Sequence, residues 1–200
     1  MKTNKQKTMQ LTAYALLAAL VVVLEFFVAI PLGPSFTVTL TLVPIMIGAI
    51  LYGAPCGAFL GAVFGVVVAI KVAFGLADAG SAQMFMYTPV TTLSLCVIKG
   101  TVAGLVSGLV YSPFRNRKNK LLGTILAAVA CPIVNTGIFV LGLFTFYGEI
   151  VKQWAVGYAN AFFFLILGLL GLNFLVEFAL NVLLVPAVLR IVQVVKKTYR

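Results

Sequence analysis

Between Phe36 and Phe74 the chain carries one charged residue, Lys71, and is broken once, at Tyr52-Gly53-Ala54-Pro55. A bilayer offers no water to backbone N–H and C=O groups, so irregular chain cannot face lipid and such a break must sit at a water interface. The apolar runs on either side are too long for soluble strands. They predict a hairpin of two membrane helices. Gly53 suits the end of the first, and Pro55 suits the opening turn of the second, where a missing N–H costs nothing. Pro44, with Thr37, Thr39 and Thr41 before it, predicts a short or bent first arm with hydroxyls at hand for freed carbonyls. In the second arm Gly57, Gly61 and Gly65 recur every four residues, which lets another helix approach closely.

The hairpin is typical of the whole chain. Hydrophobic residues make up 62% and charged residues 9%, with a mean hydropathy of +1.16, values no soluble domain of this size approaches. The first apolar run outlasts a signal peptide and lacks a small-residue cleavage site, so it reads as a span. At about 20 apolar residues per crossing, the pattern predicts an all-α single membrane domain over 1–200. Its six helices fall at roughly 9–30, 39–52, 56–74, 89–111, 121–147 and 160–192.

Orientation follows from the fourteen basic residues. Three (Lys2, Lys5, Lys7) precede the first helix, four (Arg115, Arg117, Lys118, Lys120) join the fourth to the fifth, and four (Arg190, Lys196, Lys197, Arg200) close the chain. Six spans put these segments on one side, and the positive-inside rule makes that side cytoplasmic. The net charge of +10 is therefore a mark of topology and not of a nucleic-acid partner.

Catalysis finds no support. Histidine is absent, the four carboxylates are scattered, and Cys56, Cys96 and Cys131 stand at no metal spacing; the thiols read as reduced packing residues. Neither a G-x-S-x-G nucleophile turn nor a phosphate-binding loop with Lys-Ser/Thr occurs. The expectation is a non-enzyme with no cofactor, no metal and no ATPase of its own.

Ionisable residues at membrane depth are functional candidates by default. Here they are Glu25, Lys71, Lys99 and Glu177, with Asp78, Glu149 and Lys152 at the outer edge. Asn173, Glu177 and Asn181 are spaced to share one helix face, and a polar stripe must face protein or a water-filled pocket. Asn135 follows Pro132, whose missing hydrogen bond would kink the fifth helix beside it. Two readings stand for these groups: Glu177 paired with Lys99 and the asparagines bonded between helices, or all of them lining an outward-facing polar cavity. Two readings also stand for Phe85, Tyr87, Tyr147, Trp154 and Tyr158 in the outer connections. They form either an interfacial belt or a lid. Ala15 and Ala19 flatten one face of the first helix for a partner helix, within this chain or in another.

Taken together, these features resemble the substrate-binding S components of energy-coupling factor (ECF) vitamin transporters, over essentially the whole chain. The hairpin F-T-V-T-L-T-L-V-P-I-M-I-G-A-I-L-Y-G-A-P-C-G-A-F-L-G looks like the second-to-third helix segment of riboflavin-binding members, and CPIVNTGIF around Asn135 looks most like pantothenate-type members. The resemblance implies a riboflavin-transporter-like S-component bundle that captures a vitamin outside and reorients in the membrane. It implies a transmembrane T subunit meeting Ala15 and Ala19, and two cytosolic ATPase subunits. Polar ligand contacts fall at Asn135 and Asn173, and Pro31–Phe36 matches the loop that gates the pocket in relatives. Glu177 departs from the riboflavin pattern and leaves the ligand open among pantothenate, cobalamin, a pyridoxine-like ring or riboflavin. For a carboxylate, Lys99 or Lys71 would serve, with Glu177 and Trp154 completing the expected substrate-binding set. A self-sufficient secondary carrier is the alternative, although inverted three-plus-three repeats are not evident.

Overall fold

A computed structural model describes residues 4–31, 37–115, 119–155 and 171–198. Helix α1 (Asn4–Phe27) leads into a ribbon of β1 (Ala29–Pro31) and β2 (Thr37–Thr39), antiparallel with Ala29 opposite Thr39. Helices α2 (Leu42–Tyr52), α3 (Ala54–Ala73), α4 (Ala79–Tyr87) and α5 (Pro89–Tyr111) follow, then a 3-10 turn at Ser112–Phe114. The chain continues through α6 (Lys120–Phe146), α7 (Gly148–Trp154), α8 (Gly171–Leu183) and α9 (Val185–Thr198).

Among the described residues, α1, α3, α5 and α6 are long and apolar enough to cross a membrane, and α8 with α9, bent by 42°, adds a fifth span if counted as one. Pro186, in the first turn of α9, cannot donate to the Val182 carbonyl, which accounts for the bend. At 11 residues, α2 rises about 16 Å and cannot cross a core of about 30 Å alone. The second expected helix is thus shorter than a crossing, and the described residues do not reach six full spans. It starts at Leu42 instead of 39, and α1 stops at Phe27 instead of 30, because the intervening residues pair as strands. Pairing across the ribbon gives these backbone groups partners without a helix. Residues 32–36, Tyr158, Asn160 and the start of the last expected helix lie outside the described residues.

The hairpin break is as the sequence predicts. Gly53 sits at φ +99°, a conformation that favours glycine, and Pro55 occupies the first turn of α3. The three α3 glycines meet a matching set on α5. A Cβ on Gly57 would come 2.2 Å from the Gly104 carbonyl oxygen, one on Gly61 2.0 Å from that of Gly100, and one on Gly65 2.5 Å from that of Cys96. The two antiparallel backbones therefore touch directly over several turns. In a bilayer this dispersion contact, and not water exclusion, holds helices together.

Three packed layers stack along the bundle. Met46, Ile50, Tyr111, Ala128 and Val188 join α2, α5, α6 and α9 at one end. Val21, Ile45, Leu60, Ala103 and Cys131 join α1, α2, α3, α5 and α6 in the middle. At the other end Met84, Leu95, Leu143, Tyr147 and Val151 pack the short helices α4 and α7 onto the ends of α5 and α6. Large apolar side chains such as Leu16, Phe27, Val90 and Leu141 are exposed on the outside, as a lipid-facing surface requires. The packing makes α4 and α7 a cap across one end of the bundle.

Candidate functional site

Asn135 stands on the inward face of α6 and is buried. It lies one helical turn beyond Cys131 and one before Phe139, so the three share a face. Helix α6 runs as one span through Pro132. The Asn135 Oδ1 is buried and meets no hydrogen-bond donor among the described residues. Such an acceptor costs about 1–3 kcal/mol when unpaired, so this position is expensive unless something donates to it.

From α5, the half-buried Lys99 places its ammonium 4.7 Å from the centroid of the Phe139 ring, where the ring's negative face supports a cation. Glu177 lies on α8, which packs along α6. Asn173 falls in the first turns of α8, one turn before Glu177; its side chain lies outside the described residues. Asn181, the third member of the stripe, donates through Nδ2 to the Glu177 carbonyl at 2.8 Å and keeps a buried Oδ1 without a partner among the described residues.

Lys71 belongs to a different cluster. Its ammonium donates to Glu25 Oε1 at 2.9 Å and to the Glu25 carbonyl at 2.8 Å, while Thr41 Oγ1 donates to Glu25 Oε2 at 3.0 Å. The side chains of Lys71 and Glu25 are 10% and 4% exposed. This set ties the end of α1 to the start of α2 and the last turn of α3. Thr41 therefore serves a carboxylate and not a carbonyl freed by Pro44. Sequence reasoning named Glu25 and Lys71 separately and missed the pair. The signal was there: opposite charges, each near the same end of its own helix.

The cap has its own polar ties. Trp154 Nε1 on α7 donates to Gln83 Oε1 on α4, and the hydroxyls of Tyr147 and Thr92 share a bond of 2.7 Å. Asp78 accepts from the Ser81 N–H at 2.8 Å and so caps α4, and Lys152 pairs with Glu149 within α7. The three outer-edge charges thus have local structural partners. On α1, Ala15 and Ala19 both lie on the exposed face, beside Leu16 and Leu20. They do not pack into the bundle's own core.

A buried amide acceptor and a half-buried lysine, inside a bundle of apolar helices, suit capture of a polar solute. No match to a curated protein is found. One family does match: its sequence model, described as ECF transporter, substrate-specific component, covers residues 9–189. That stretch takes in α2 to α8 whole, most of α1, the start of α9 and each candidate side chain. The chain belongs to the family of ECF transporter substrate-specific components, and is a multi-pass cell-membrane protein.

Proposed function

We propose that the chain is the vitamin-capturing S component of an ECF-type importer, a single membrane domain over 1–200 with six helices and both termini cytoplasmic. It works with a transmembrane T subunit and two cytosolic ATPases, which supply the energy for reorientation. The cap of α4 and α7 marks the outer end, and the basic segments mark the inner.

The observation that carries the substrate reading is the buried Asn135 acceptor, with the Lys99 ammonium over the Phe139 ring one turn along α6. A solute with an amide N–H or hydroxyl for Asn135 and a carboxylate for Lys99 would satisfy both. Pantothenate has all of these groups and is our first choice. Asn173 and Glu177 would meet its hydroxyls from α8, and Trp154 would cover it from the cap. Lys71 is assigned to Glu25, which leaves it a structural role. Ala15 and Ala19 form the face for the T subunit.

Uptake by proteoliposomes tests the mechanism. Vesicles holding the chain with its T subunit and ATPases should accumulate labelled pantothenate only with ATP inside the ATPase-facing compartment. Accumulation by the chain alone would make it a self-sufficient carrier.

A further inference from the structure

At the end of the bundle opposite the cap, a cavity of about 250 Å3 opens between the α2–α3 turn and the end of α5. Ile50, Pro55 and Leu109 line it with apolar surface, and Tyr52, Ser112 and Arg115 bring polar groups. Gly108 forms its tight edge, where α5 meets the start of α3 so closely that a Cβ would strike the Ala54 backbone.

Arg115 is fixed at this site. Its Nη2 donates to the Leu51 carbonyl at 2.9 Å, at the end of α2, which engages one of five guanidinium N–H groups. Its Nη1 stands 3.6 Å from where a Gly53 Cβ would be. Leu109 is 55% exposed, so the apolar wall continues onto the lipid-facing side of α5. The chain from Arg115 to Lys120 also carries four basic residues.

We propose that this cavity holds the phosphate of an acidic phospholipid from the inner leaflet. Arg115 takes the phosphodiester, Ser112 donates its hydroxyl to it, and the acyl chains leave past Leu109. The assignment rests on the membrane orientation proposed above. Basic pockets between helices on the cytoplasmic side suit anionic head groups, and the volume is below that of a pocket for a whole drug-sized solute. The opening toward lipid at Leu109 favours a phospholipid over an acidic side chain of a protein partner.

Native mass spectrometry of the full chain, purified in detergent and titrated with phosphatidylglycerol or phosphatidylcholine of the same acyl chains, tests this. Phosphatidylglycerol should be retained in preference, and Arg115→Gln should cut that preference about tenfold, as loss of a charge-assisted phosphate contact implies. Arg115→Lys should keep part of it, and Leu109→Trp should lower phosphatidylglycerol retention with the charge intact. Equal retention of the two lipids, or a preference that survives Arg115→Gln, overturns the proposal. Displacement by inorganic phosphate makes this a free-anion site. No retention by the chain alone, with Arg115 needed only for T-subunit binding, assigns the cavity to a protein partner. Vitamin binding in the same preparations reports separately on the transport reading, because Arg115 lies at the other end of the bundle from Asn135.

Discussion

The Lys71 ammonium lies 2.9 Å from Glu25 Oε1 and 2.8 Å from the Glu25 backbone oxygen, so one side chain both neutralises a buried carboxylate and caps the end of α1. Charges taken out of water need a partner, and removing one leaves the other stranded. Lys71→Met should therefore lower stability by about 3–5 kcal/mol, read as detergent thermal unfolding. Adding Glu25→Leu to that variant should restore most of the loss, since an apolar pair avoids the desolvation cost. If the double variant were no better than the single one, the pair would not be acting as a unit.

The glycine contact between α3 and α5 predicts a sharp contrast between two alanine substitutions. At Gly61 the new Cβ would sit 2.0 Å from the Gly100 carbonyl oxygen, whereas at Gly137 nothing lies within 4 Å. Gly61→Ala should force the backbones apart at a cost of about 1–3 kcal/mol. Gly137→Ala should be neutral or stabilise by up to ~1 kcal/mol through reduced backbone entropy. Similar unfolding temperatures for the two variants would count against a direct backbone contact.

Asn135 separates a binding role from a folding role. Asn135→Leu removes a buried acceptor that lacks a donor among the described residues, so stability of the ligand-free protein should hold or rise. Affinity for the substrate should fall by about 1–3 kcal/mol, the cost of leaving a buried ligand donor unpaired. Loss of stability with unchanged affinity would place Asn135 in helix packing.

The exposed pair on α1 should act only through the partner. Ala15→Trp with Ala19→Trp fills the flat face, and pull-down of the T subunit together with uptake should be lost while substrate binding stays as it was. Binding and uptake falling together would show that this face packs within the chain.

How far the sequence carries the structure depends on the length scale of the signal. Gly53 and Pro55 place the hairpin break because their constraints are local, and the α3 glycines announce a close helix contact. The partner was less visible. Gly100, Gly104 and Gly108 sit in an ordinary apolar run, and only the antiparallel register shows which residues face Gly61. The β1–β2 ribbon was hidden because three-residue strands beside a long apolar helix leave no period to detect. At the site, Asn135, Lys99 and Glu177 stood out as polar groups at membrane depth. The approach of Lys99 to Phe139, and the diversion of Lys71 to Glu25, depend on contacts between distant segments that spacing does not encode.

This chain alone should bind a small water-soluble vitamin. Isothermal calorimetry on the detergent-purified chain, titrated with pantothenate and then with cobalamin, pyridoxine and riboflavin, measures it directly. Saturable one-to-one binding of one vitamin, needing neither ATP nor partner and weakened by Asn135→Leu, is the predicted result. No binding of any vitamin in the set by a folded, monodisperse protein would contradict it.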